Sequence, residues 1–216
     1  MGLTGQNGET ESAALNTGFA LKSGPTITDY SASVSARYFY TNSEGKRSQN
    51  ALTFQLKRDQ YIKSVSDRFF IFGTAQYDFD EFQAFRNRAT AFVGPGYNFI
   101  KRDNLTLKGR VGIGVADDFG NAETDDFRVE ASIGLDGKWT FDDGRQSITY
   151  SINYFPSLSN FLDEGRVVTN LAYEAMINRA KGLALKLFVE HKYEFRTLDD
   201  TEPTNWRYGA NLVLKF

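Results

Sequence analysis

Few side chains in this chain can do chemistry. There is one histidine, His191, and no cysteine. That removes thiolate nucleophiles, disulfides and any metal site built from several His or Cys ligands. His191 shares its alternating face with Val189 and Tyr193, and neither a serine lipase motif nor a second histidine accompanies it. It reads as an interfacial side chain rather than a general base. Gly94-Pro95-Gly96 and Gly112-Ile113-Gly114 invite a phosphate-loop reading. A phosphate cradle needs glycines that open a helix. These lie inside alternating strands, where glycine makes room for a large neighbour or bends the chain. Pro95 lacks a ladder donor, so a bulge or kink is expected there. The acidic run Asp117–Asp126 could draw a divalent cation, but its spacing is not that of an EF-hand loop. It reads as a solvated outer loop with at most weak cation binding. The sequence therefore predicts no catalytic residue, no metal site, no cofactor and no enzyme.

What the chain does carry is charge in the middle of apolar alternation. From Gln146, Ile148, Tyr150, Ile152 and Tyr154 fall on one face, and Ser147, Thr149, Ser151 and Asn153 on the other. Leu183, Leu185, Leu187 and Val189 oppose Lys186, Glu190, Lys192 and Glu194; Trp206, Tyr208, Ala210, Leu212 and Leu214 oppose Arg207, Asn211 and Lys215. This period-two pattern recurs about eleven times and no helical period competes with it. The polar parity holds Arg37, Lys57, Asp78, Arg88, Lys108, Arg110, Arg128, Glu130, Asp136, Lys138, Arg166, Glu174, Lys186, Glu190, Glu194 and Arg207. The apolar parity holds Tyr30, Tyr38, Tyr77, Tyr97, Trp139, Tyr154, Tyr193, Trp206 and Tyr208 near strand ends, with aliphatic residues between. Two aromatic girdles around an aliphatic band mark a face turned to lipid, with Phe54, Ile113, Ile133, Leu135, Ile152, Leu185, Leu187 and Leu212 among its lipid-facing residues. The charges then line a lumen. The expected fold is all-β, an antiparallel up-and-down transmembrane β-barrel, one domain over residues 1–216.

Composition agrees. With 25 basic and 27 acidic residues the net charge is −2, which argues against a nucleic-acid-binding polyelectrolyte. At 41% apolar residues, no stretch is long enough for a membrane-spanning helix. Aromatics at 15%, 19 Gly, 4 Pro and 2 Met form the profile of a β chain. No basic-then-apolar leader opens the chain, so it is either a trimmed form or a protein that never leaves the cytoplasm.

The C-terminal run Tyr208, Leu212, Leu214, Phe216 has the alternating apolar, terminal-aromatic form of an assembly signal read by outer-membrane insertion machinery. With Phe216 periplasmic, the turns at 101–104, 142–145 and 178–182 are periplasmic, and the connections at 80–85, 117–126, 156–165 and 196–205 are extracellular and longer. An antiparallel barrel does not close on an odd count, so about eleven visible strands imply a parent of about twelve. Residues 1–12 are then the remnant of a trimmed first strand, or a further strand precedes Met1 and pairs with the last.

Phe70-Ile71-Phe72-Gly73-Thr74-Ala75-Gln76-Tyr77-Asp78, followed by Phe82, Arg86 and Val93-Gly94-Pro95-Gly96-Tyr97, resembles the YdiY-like family of salt-induced outer-membrane proteins, as does Gly5-Gln6-Asn7-Gly8-Glu9-Thr10 with Ser12 and Leu15-Asn16. The resemblance spans nearly the whole chain. It implies a small barrel in the bacterial outer membrane, with the bilayer and lipopolysaccharide as surroundings and no nucleic acid. The expected function is a non-enzymatic barrel, either a narrow channel or a structural one. The alternative is a barrel subunit or anchor that binds an envelope protein in a larger complex. Centring the hairpins places Asp78 opposite Arg88, Glu174 opposite Lys186, Arg166 opposite Glu194, and Arg207 opposite Glu194. A self-neutralising lumen of that kind predicts low conductance and weak ion selectivity.

Overall fold

The computed structural model describes residues 2–6, 12–23, 30–43, 46–81, 86–120, 126–161, 164–195 and 203–214. Among them are twelve strands: β1 (Gly2–Gln6), β2 (Ser12–Ser23), β3 (Tyr30–Ser43), β4 (Lys46–Tyr61), β5 (Phe69–Asp80), β6 (Asn87–Lys101), β7 (Leu105–Phe119), β8 (Asp126–Phe141), β9 (Gln146–Pro156), β10 (Gly165–Asn178), β11 (Leu183–Glu194) and β12 (Thr204–Leu214). No helix occurs among the described residues. The strands form one sheet in chain order, each antiparallel to the next. That order follows from short connections between strands whose apolar faces must stay on one side.

The sheet is strongly curled. On its concave face Arg88 of β6 meets Glu194 of β11, Arg207 of β12 meets Asp80 of β5, and Arg37 of β3 meets Glu190 of β11. The rings of Phe39 on β3 and Phe188 on β11 are 6.2 Å apart. Cα atoms of β1 come within 8 Å of β12. The convex face is apolar and open: Val93, Val111, Ile113, Ile133, Leu171, Leu187 and Leu212 are all exposed.

A small aromatic core sits on the concave side. Phe70, Phe72 and Phe92 are buried there, with Tyr61 and Phe155 packed against them. Glycines on the neighbouring strands make the space. A Cβ at Gly96 would overlap the Phe70 ring, one at Gly112 would press on Phe72, and one at Gly114 on Phe92. Three of the four glycines that resembled phosphate loops, Gly96, Gly112 and Gly114, are therefore sockets for phenyl rings.

Three expectations need correction. Among the described residues the strands number twelve rather than about eleven, since Gly2–Gln6, within the expected first-strand remnant at 1–12, pairs with β2 from Gly2↔Asn16 to Gln6↔Ser12. Its composition, Gly-Leu-Thr-Gly-Gln, carries no alternation, so only the parity of the strand count points to it in the sequence. The even count is reached without a further upstream strand. Pro95 causes no register shift. It pairs with Ile71 on β5, while the β6–β7 ladder passes from Val93↔Ile113 to Gly96↔Arg110 without pairs at Gly94 and Pro95. The missing donor falls in that gap, where Gly94 lies against the backbone of Val111 and Gly112; the bulge occurs further on, between Asn98 and Ile100. Finally, the acidic loop is shorter than 117–126. Asp117, Asp118 and Phe119 belong to β7 and Asp126 begins β8, because arginines on the concave face neutralise Asp118 and Asp126.

Candidate functional site: the charged interior

Alternation puts every second side chain of β3 to β12 on the concave face, and the charges there assemble into networks. The upper rim is defined as the end bearing the connections after β5, β7, β9 and β11. There the Arg88 guanidinium donates to both oxygens of Asp118, from Nε at 2.5 Å and from a terminal nitrogen at 2.8 Å, and to Glu194 at 2.6 Å. Asp118 also accepts from Arg128 at 2.9 Å, and Arg128 reaches Asp126 at 2.9 Å and Glu130 at 3.5 Å. Glu130 is 1% exposed and takes Arg166 on both oxygens, at 2.6 and 2.7 Å. Lys192 pairs with Glu194 at 2.7 Å. A second chain runs from Asp80 through Arg207 and Glu190 to Arg37. Charges this well buried persist only when paired and hydrogen-bonded, and Glu194, Glu190, Asp80 and Glu130 find partners on strands far apart in sequence.

The lower half is thinner. Lys108 donates to Asp59 at 3.1 Å and to the Tyr61 hydroxyl at 3.3 Å, and Arg110 pairs with Asp136. Aromatic faces support several cations: the Arg166 guanidinium lies 4.5 Å from the centre of the Phe155 ring, Arg207 5.4 Å from Phe39, and Lys108 5.4 Å from Phe70. Such contacts draw a cation to the negative face of a ring. Between the two halves is a cavity of about 160 Å³, lined by Arg37, Lys57, Gln76, Arg110, Asn153 and Glu190 among others.

The register expectations can be compared one by one. Asp78 is opposite Arg88, Glu174 opposite Lys186 and Arg166 opposite Glu194. Arg207 is opposite Glu190, not Glu194. The midpoint of a polar loop does not fix a hairpin; the ladder running from Tyr193↔Thr204 to Leu183↔Leu214 does. The shift is even, so Arg207 keeps its face. Cross-strand position also does not dictate the partner. Arg88 bonds Asp118 and Glu194 while Asp78 accepts from Thr53 at 2.8 Å and Gln76 at 2.6 Å, and Arg166 turns to Glu130. Lys138 lies exposed on the lower part of β8, outside these networks.

Aromatic residues lie toward both ends of the convex face. Toward the lower rim the convex face carries Tyr30, Tyr97 and Trp139, with Tyr97 against Phe99 and Trp139 against Phe141. Toward the upper rim it carries Tyr38, Tyr77, Tyr154, Tyr193, Trp206 and Tyr208. There the Tyr77 hydroxyl donates to Asn87 at 2.8 Å and the Tyr154 hydroxyl to the Phe161 carbonyl at 3.0 Å. His191 stacks on Trp206 at 4.1 Å and bonds Thr204 at 2.8 Å, so it is part of this belt. Of the assembly signal, Tyr208, Leu212 and Leu214 are exposed on β12; Phe216 lies outside the described residues.

Sequence reasoning overlooked the concave phenylalanines and Asp59, and it read Asp80 and Asp118 as loop residues. Parity would have found them, since Phe70, Phe72 and Phe92 share alternation with Thr74 and Thr90.

An all-β, up-and-down, barrel-like sheet with an apolar outside and an ion-paired inside is the class defined by this geometry. A family model described as "Protein of unknown function, DUF481" matches residues 1–216. The chain belongs to that family, the YdiY-like one that its sequence resembles. No curated protein matches it.

Proposed function

We propose that the protein is an integral outer-membrane β-barrel without enzymatic activity, closed between β1 and β12, whose interior is a narrow and largely occluded passage. The observation that carries this reading is the inversion of the two faces. The convex side exposes Val93 at 54%, Val111 at 56%, Ile113 at 52% and Leu212 at 52%, while Glu130 and Arg88 are buried on the concave side at 1% and 4%. A water-soluble barrel would place these groups the other way round, since so large an apolar surface is not left to water. Aromatic residues at both ends, with the Tyr77 and Tyr154 hydroxyls bonded at the upper rim, fit the two membrane interfaces. Bilayer and lipopolysaccharide are the surroundings such a surface needs, and the alternating Tyr208, Leu212, Leu214, Phe216 run is what the insertion machinery would read. Ion pairs spanning the concave face from β6 to β11 and from β5 to β12 cross what would be an open pore, which favours low conductance. The test is to purify the protein with and without detergent and to reconstitute it in planar bilayers. The expected results are aggregation without detergent and small or no unitary conductance. A monodisperse detergent-free monomer would refute the membrane reading, and a large steady conductance would refute occlusion.

A further inference from the structure

We propose that the cavity in the middle of the interior binds a small divalent oxyanion of the size of inorganic phosphate, a site that rests on the barrel reading above. Summed over the whole concave face the charges nearly cancel, and that sum is what predicts weak selectivity from sequence. The arrangement around the cavity is different. Lys57, Arg110, Arg37 and Arg166 line it, whereas the acids that neutralise two of them, Asp136 and Glu130, do not. The carboxylates stand behind the guanidinium groups, in the wall. The acids that reach the cavity are Asp78, Asp80 and Glu190, and each accepts hydrogen bonds from side chains of the wall.

Lys57 is the decisive residue. It sits on β4 opposite Thr74, and among the described residues it makes no hydrogen bond or ion pair. An ammonium enclosed beside Arg37 and Arg110, in contact with no carboxylate and with Asp59 and Asp136 acting on it only across a distance, is costly, and an anion would lower that cost. The Nε–H groups of Arg110 and Arg207, two more lining residues, also have no protein partner. Ser151 and Asn153 add neutral polar groups around the same space, while the Gln55 and Gln76 amides donate to Gln76 and Asp78 in the wall. Fixed donors of this kind, on a rigid sheet and partly shielded from water, are what an oxyanion needs. A cavity of about 160 Å³ admits phosphate and is too small for a nucleotide.

The experiment uses the full chain folded in detergent and titrated with inorganic phosphate against chloride at constant ionic strength, followed by calorimetry and by ³¹P line broadening. The wild type should bind phosphate saturably. Lys57→Gln, which breaks no internal contact, should weaken binding by roughly tenfold or more, the size of one charge-assisted hydrogen bond. Lys138→Gln removes the same charge outside the cavity and should bind as the wild type does. Equal binding by Lys57→Gln, or no phosphate binding by folded wild type beyond that of chloride, would overturn the site. Behaviour of the same preparation as a detergent-free monomer would instead overturn the barrel reading, and the site with it.

Discussion

Replacing Glu130 with glutamine removes one negative charge and almost no volume from the most enclosed part of the network. Glu130 is 1% exposed, and the Arg166 side chain that grips both of its oxygens is 6% exposed. Arg128 stands 3.5 Å from the same carboxylate. The variant leaves one guanidinium without its counter-charge and a second with less compensation. Breaking a buried pair from one side costs about 3–5 kcal/mol, and since the amide oxygen can still accept one bond, the lower end, about 3 kcal/mol, is expected. Arg37→Gln is the contrast: its side chain is 42% exposed, so the loss should stay below about 1 kcal/mol. A double variant, Glu130→Gln with Arg166→Met, should recover much of the loss, because the orphaned charge is gone and the new side chain can pack on Phe155, over which Arg166 lies. The assay is urea unfolding in phospholipid vesicles, followed by Trp139 and Trp206 fluorescence. The reasoning fails if Glu130→Gln costs no more than Arg37→Gln, or if the double variant is less stable than the single.

Leu187→Arg, on the convex face at mid-strand, should destabilise the protein in bilayers by about 2–4 kcal/mol; unchanged refolding would contradict the orientation. Gly96→Ala drives a methyl into the Phe70 ring and should cost about 1–3 kcal/mol by overpacking, whereas Gly73→Ala, with nothing within 4 Å of the new Cβ, should be neutral or stabilising by under about 1 kcal/mol; equal melting behaviour of the two would be the wrong result. Replacing Arg88, Lys186 and Arg207 together by alanine should raise bilayer conductance and shift reversal potentials toward cations, since the acids they faced are left in the wall.

Some of this molecule is plain in its sequence because the chain obeys one rule repeatedly. Alternation from Ile148 to Tyr154, or from Leu183 to Val189, fixes both strand and face, since a slip by one residue would expose every apolar side chain to the interior. The pairing of Asp78 with Arg88 across β5 and β6 follows from parity and a short connection. The ion pairs are not legible in the same way. Arg88 finds Glu194, 106 residues away, because the sheet curls until β6 faces β11, and curvature leaves no local sequence signal. The error at Arg207 has a different cause: turn composition marks where a hairpin lies but not how many residues each strand lends to the loop. Gly2–Gln6 was legible only through the odd strand count, which pointed to a first strand within residues 1–12, because a strand without alternating side chains leaves only its backbone to pair. Phe72 and Phe92 were hidden by the assumption that an interior face is wholly polar, although Gly112 and Gly114 already pointed to bulky neighbours.

The central claim, that the apolar convex face meets lipid and the charged concave face does not, is most directly tested by single-cysteine labelling, for which the absence of native cysteine is ideal. An environment-sensitive fluorophore placed in turn at Val111, Ile133, Leu187 and Leu212, and at Thr74 and Thr90, would be read in vesicles containing a lipid-borne quencher. The account predicts blue-shifted, strongly quenched probes at the first four positions and unquenched probes at Thr74 and Thr90. Quenching at Thr74 and Thr90 with water-exposed probes at Leu187 and Val111 would contradict it.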